Sequence, residues 1–138
     1  AAVLEAGGCV VRLAGLYTVA RGAHAYYLKQ SGPIASRPDH LLNLCHYDDA
    51  ASLCVAALRR GQTAAVYMGT DGAPLTREDL LQTALASDRC PDPPDPPPTF
   101  AEDAGGSLGK RMFNPRTRRE LDWEPAYANF ADALAREP

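Results

Sequence analysis

The groups in this chain that could take part in chemistry gather in residues 41–51, Leu-Leu-Asn-Leu-Cys-His-Tyr-Asp-Asp-Ala-Ala. A histidine, a tyrosine and two aspartates in succession can move protons, border a polar ligand or hold a cation. They equally suit a strand that turns into a helix. The apolar run stops at His46, and Asp48 and Asp49 favour the positive end of the helix dipole. For His46 the plainer role is a structural histidine hydrogen-bonded at that helix start. His40, His46 and Asp48 or Asp49 have metal-ligating chemistry but no coordination spacing, so no metal site is expected. Elsewhere, His24, Tyr26, Tyr27 and Lys29 form a further polar cluster. Arg111, Arg116, Arg118 and Arg119 could meet a phosphate, although Arg118 and Arg119 read more simply as a solvated helix face.

The elements that must position these groups alternate. Residues 9–17 are a near-continuous apolar run of strand length, fitting a strand buried on both faces. A loop over 18–22 and a short helix over 23–30 follow, then a polar stretch to His40. Residues 41–45 are a second strand and 47–60 the best-defined helix, with Ala50, Leu53, Cys54, Ala57 and Leu58 as its apolar stripe and Gly61 as its stop. A third strand covers 64–68. Thr76 caps a helix to about residue 86, with Asp79 in the reciprocal capping position. Residues 91–98 contain too many prolines for helix or central strand and read as an extended surface loop. Asn114-Pro115 opens a helix ending near Leu121, Trp123 packs inward, and Asn129 caps a last helix to Arg136. Tyr17 and Tyr47 are expected to pack with their polar tips toward a cleft.

Strand–helix alternation of this kind predicts an α/β fold with parallel pairing, in one domain of 138 residues. A hydrophobic fraction of 46% argues for a folded chain, and a net charge of −3 argues against a nucleic-acid surface. No apolar run is long enough to span a membrane. Cys9, Cys45, Cys54 and Cys90 lack the close spacing of a zinc or redox pair; the first three sit among apolar neighbours as small core residues, and a reducing compartment is expected. Residues 1–8 read as the end of a helix that starts upstream. No phosphate-binding glycine turn follows the first strand; the nearest glycine run, 105–109, follows no strand.

Four segments in order carry a resemblance: Val11-Arg12-Leu13-Ala14-Gly15-Leu16-Tyr17, then Asn43 to Ala51, then Gly109-Lys110-Arg111, then Leu121 to Tyr127. Together they resemble the C-terminal half of extended or atypical short-chain dehydrogenase/reductases, chiefly the nucleoside-diphosphate-sugar-epimerase-like NAD(P)-binding proteins. The wording of residues 37–43 is similar to plant and algal members. The resemblance implies the back portion of a Rossmann-like fold with a small substrate-side subdomain, lacking the dinucleotide-binding half. It implies NAD(P) for the complete fold and no cofactor for this chain alone. Gly15, Leu16 and Tyr17 would lie near the nicotinamide, and Tyr17, His24, Asn43, His46, Asp49 and Arg111 would border a sugar-nucleotide pocket.

Relatives continue after the tyrosine with Gly-Pro-Gly, whereas this chain has Thr18-Val19-Ala20. Their catalytic tyrosine with a lysine four positions on has no counterpart here: Ala25 and Gly106 precede Lys29 and Lys110 at that distance. The implied partner is therefore the missing N-terminal half, or another subunit covering an open sheet. The alternatives are a non-catalytic accessory subunit of a larger, plastid complex and, more weakly, an RNA-binding relative. The chloroplast or cytosol of a plant or alga is the implied location.

Overall fold

Residues 9–17, expected as one strand, form two. In a computed structural model that describes residues 2–101 and 104–137, β1 (Val10–Leu13) and β2 (Gly15–Tyr17) are separated at Ala14. Ala14 N donates to Gly69 O at 2.9 Å, and the next amide, Gly15 N, donates to Asn43 O at 3.0 Å. Pairing thus passes from one partner to another across a single peptide. β1 runs parallel to β5 (Val66–Gly69), from Val10↔Val66 to Leu13↔Gly69. β2 runs parallel to β4 (Leu44–His46), Tyr17 standing beside His46. The second expected strand divides as well, at Asn43: β3 (Leu41–Leu42) turns away to pair antiparallel with β6 (Leu75–Thr76). The expected parallel pairing therefore holds for the two longer ladders, and the antiparallel pair is an addition.

The helices are α1 (Ala2–Glu5), α2 (Ala23–Tyr27), α3 (Tyr47–Arg60), α4 (Arg77–Leu85), α5 (Pro115–Leu121) and α6 (Phe130–Arg136). The bounds of α3 are those read from the sequence, because its acidic start and Gly61 mark both ends. Its stripe differs. Asp49, Ala50, Leu53 and Ala57 are buried, whereas Cys54 is exposed and Leu58 is 88% exposed. Thr76 and Asp79 close the capping box at α4 in both directions, which satisfies two amides that the helix itself leaves free. Asn129 Oδ1 accepts from Asp132 N at 2.9 Å and caps α6. Asn114 does not cap α5 with its side chain. Its amide instead donates to Thr70 O at 2.7 Å, tying the start of α5 to the end of β5.

Two clusters of buried side chains make the core. One joins Tyr17, Leu28, Leu44, Leu80, Leu81 and Phe130, so it fastens α4 and α6 beneath the β2–β4 ladder. The other joins Leu53, Ala57, Tyr67, Leu121 and Trp123, between α3, α5 and β5. Trp123 packs inward as expected, and its Nε1 donates to Ser52 Oγ at 2.9 Å. Residues 91–98 form no helix or strand, and the chain after them is held by Ile34, which donates to Thr99 O at 2.8 Å. Among the described residues no helix is long and apolar enough to cross a membrane.

Candidate functional site

The break at Asn43 creates a polar feature that faces open space at the strand ends. Asn43 is half-buried, and its side-chain amide works as a short piece of strand: Nδ2 donates to Lys110 O at 2.7 Å, and Oδ1 accepts from Met112 N at 2.7 Å. The same segment is fastened to β3 by Leu41 N donating to Leu108 O at 2.8 Å and by His40 Nδ1 donating to Ser107 O at 2.5 Å. Gly109 is required there. Its φ is +75°, and a Cβ would lie 2.5 Å from Leu41 O. Between this segment and the β2–β4 ladder lies a cavity of about 360 Å³ walled by Gly15, Leu16, Leu42, Asn43, Lys110 and Met112. Its walls are mainly apolar, with His40, Asn43 and Lys110 as polar points. Arg111 is exposed and next along the chain from Lys110, but it is not part of the wall. Apolar walls with a few polar groups and cations at the rim suit an anionic ligand that also has a ring to bury.

The other end of the stretch faces inward. His46 Nδ1 accepts from Asp48 N at 3.2 Å, capping α3, so Nε2 carries the proton and donates to Glu137 Oε2 at 3.0 Å. That carboxylate oxygen also accepts from Val19 N at 2.7 Å. The imidazole is enclosed by Tyr127, with centroids 4.2 Å apart, and by the edge of Tyr17 at 5.3 Å. Asp49, 2% exposed, accepts from Ala126 N at 2.6 Å and Tyr127 N at 3.2 Å. The pair is a fastener: it fixes the chain leading into α6 and the end of α6 against the start of α3. Neither residue borders the cavity.

Tyr17 and His24 are buried in the same way. Tyr17 does not place its hydroxyl at a cleft; the oxygen is buried with no hydrogen-bond partner among the described residues. Burial first, then Asp71, Asp49, Cys45 and Glu137, hold that hydroxyl protonated well above the usual phenol range. Asp71 follows β5 and is buried too. Burial pushes its carboxyl up to about 6, against the Ala73 amide and the Arg118 guanidinium, with Asp49 adding to the rise. His24 Nε2 donates to Val19 O at 2.9 Å, and burial lowers its pKa despite that carbonyl. Burial likewise raises Cys45 to about 12, which makes it an inert core thiol.

Arg118 is a clasp rather than the solvated residue expected. Its Nη2 donates to Asp71 O at 2.6 Å, its Nε to Asn114 Oδ1 at 3.2 Å and its Nη1 to Glu124. Arg116 pairs with Glu120 one helical turn on, at 2.8 Å. Among the described residues no three His, Cys, Asp or Glu side chains gather as a metal-ligand set. Sequence reasoning missed the Glu137 latch and the buried Asp71. Glu137 carries no local signal for its role, and Asp71 sits in a Thr-Asp-Gly run with the composition of an exposed turn.

With this geometry in place, solved structures match the chain closely in shape. A dTDP-glucose 4,6-dehydratase from Bacillus anthracis, in complex with NAD, superposes with a TM-score of 0.73 at 16% identity over 92% of this chain and 42% of that one. A UDP-glucose 4-epimerase from Thermotoga maritima, with UDP-glucose, gives 0.66 at 17% over 92% and 43%. A functionally unknown conserved protein from Silicibacter pomeroyi gives 0.72 at 26% over 94% and 48%. Over its length the chain has the α/β fold of the matching part of these sugar-nucleotide enzymes. It spans less than half the length of these three structures. No family model matches the sequence, and no curated protein does. The glycine run at 105–109 lies against β3 through Leu108 and Gly109, not between a strand and a helix N-terminus, so this run does not form a phosphate cradle for a dinucleotide.

Proposed function

We propose that this chain is the substrate-side, C-terminal part of an NAD(P)-dependent nucleoside-diphosphate-sugar epimerase or reductase. The observation that carries this reading is the cavity beside Asn43. It is built where β2 and β3 diverge, and its rim holds Lys110 with Arg111 following. The sugar or base would lie against Leu16, Leu42 and Met112. Asn43 would hold the rim segment at the right distance, and Lys110 and Arg111 would take the diphosphate. Gly15 and Leu16, which line the cavity, are the residues that the reading assigns to the nicotinamide side. Tyr17, His24, His46 and Asp49 support these walls from behind.

A non-catalytic role is favoured for the chain alone. The sequence has no tyrosine with a lysine four positions on, and its buried histidines are engaged, His24 with Val19 O and His46 with Asp48 N and the Glu137 carboxylate. Chemistry would need groups from elsewhere. The test is titration of the 138-residue chain with dTDP-glucose and UDP-glucose, followed by calorimetry. Saturable binding is expected, weakened about tenfold when Lys110 and Arg111 are both changed to Ala. Binding unaffected by that double change, or none at all, would overturn the assignment. NADPH fluorescence should show no saturable enhancement with this chain.

A further inference from the structure

The proline run at 91–98 has no part in the cavity beside Asn43. Six of its eight residues are proline, with Asp92 and Asp95 between them. Each proline fixes its own φ and holds the residue before it in extended backbone, so Pro93, Pro96 and Pro97, each followed by proline, are confined to polyproline II by the sequence itself. No backbone hydrogen bond among the described residues involves 91–98. Pro91, Asp92, Pro93, Asp95, Pro96 and Pro97 are all exposed. Neither aspartate belongs to any of the ion pairs found among the described residues.

Both ends of the run are fastened. Before it, Cys90 is buried in the same cluster as Ile34, and Arg89 donates to Glu137 O at 2.6 Å. After it, Pro98 is buried, Ile34 N donates to Thr99 O at 2.8 Å, and Ala101 N donates to Ile34 O at 3.0 Å. Phe100 then meets Tyr27 edge to face, with ring centroids 5.5 Å apart. The run is therefore an arch on two fixed feet and not a linker between separate bodies. Prolines shown on such a base have little freedom left to lose on binding, which favours recognition over mere connection.

We propose that residues 91–97 are a docking segment for a protein partner of the WW type, whose groove is walled by tyrosine and tryptophan and edged by arginine or lysine. The chemistry of the segment selects this occupant. Proline rings stack on flat aromatic side chains, and carbonyls with no internal partner accept from the phenol and indole donors beside them. Asp92 and Asp95 add two carboxylates. The nearest cation in sequence, Arg89, is engaged with Leu134 O and Glu137 O. The segment thus complements a groove with cations at its edge and repels an acidic groove of the kind that meets cation-flanked proline motifs. The same carboxylates count against a nucleic-acid backbone or an anionic lipid surface, both of which need cations.

The segment lies outside the cavity, so docking here stands or falls apart from sugar-nucleotide binding. The test titrates the isotopically labelled 138-residue chain with a WW domain that carries arginines beside its groove, followed by amide NMR. Saturable shifts are expected at Asp92, Asp95 and Thr99, with Gly15 and Asn43 unmoved. Affinity should weaken about tenfold or more when Asp92 and Asp95 are both changed to Lys, and likewise when Pro93 and Pro96 are both changed to Ala. All four side chains are exposed, so melting of both variants should match that of the parent. The charge variant keeps every proline, and it decides the matter if the proline variant disturbs the fold. No saturable shift with this domain would overturn the proposal. So would shifts centred outside residues 91–100, or parental affinity in a folded variant of either kind.

Discussion

Asn43 and Asp49 belong to one short stretch, and each holds two backbone groups of a distant segment, yet they do opposite things for the molecule. Asn43 pairs with Lys110 and Met112 at the edge of an open cavity, where the segment it holds is exposed on its far side. Asp49 pairs with Ala126 and Tyr127 in the interior, away from that cavity. The difference comes from the strand register. Asn43 falls where β3 leaves the β2–β4 ladder, so its side chain replaces a lost strand partner. Asp49 falls in the first turn of α3 on its buried side. A polar residue at a strand–helix junction is thus a wall or a fastener according to which side of the junction it occupies.

Removing the fasteners should have the larger effect. Asp49→Ala leaves two amides, one of them buried, without an acceptor and should lower unfolding free energy by about 4 kcal/mol in urea titration. The contrast fails if that loss is under about 1 kcal/mol. Asp71 gives a pH signature on the same interior side. Its carboxyl titrates near 6 in the fold against 3.8 in the open chain, so the folded state holds the proton more tightly. Asp71's contribution to stability then falls as pH rises from about 4 to about 6, by about 3 kcal/mol, and is level above. Asp71→Asn should flatten that slope relative to the parent chain. His46→Ala, which removes the cap, the Glu137 contact and the packing on Tyr127, should lose about 2 kcal/mol.

On the cavity side the stability effects shrink while the binding effects grow. Asn43→Ala should cost about 1 kcal/mol, because water can reach the freed groups of Lys110 and Met112, yet it should abolish sugar-nucleotide binding in calorimetry. A variant that binds as the parent does would break the comparison from this side. Leu58→Lys should change the stability of the chain by no more than about 0.5 kcal/mol, since the side chain is already in water.

Much of the fold could be read from residues with local signals. The long helix was bounded by its acids and by Gly61, and the last helix by Asn129, because capping chemistry is written into adjacent positions. The α/β class followed from alternation, and the resemblance to sugar-nucleotide enzymes from four ordered segments is matched by the shape of the fold. What escaped was decided at long range. The handover at Ala14 and the two-residue strands β3 and β6 have no periodicity to detect. Cys54 and Leu58 fit an apolar stripe by spacing, but only the position of α5 decides which flank of the helix is covered. Arg118 reads as solvated in the sequence because its acceptors, Asp71 O and Glu124, are brought to it by folding. At the candidate site, Asn43, Gly15 and Leu16 line the cavity, whereas His46 and Asp49, the most reactive residue types in the stretch, are consumed by the backbone and side chains of the C-terminal segment.

The most direct test of this division is a two-dimensional amide NMR titration of the chain with dTDP-glucose. Shifts confined to Gly15, Leu16, Asn43, Lys110 and Met112, with Asp49, Ala126, Tyr127 and Glu137 unmoved, are the expected result. Shifts centred on His46 and residues 126–137, with Asn43 and Lys110 silent, would contradict it.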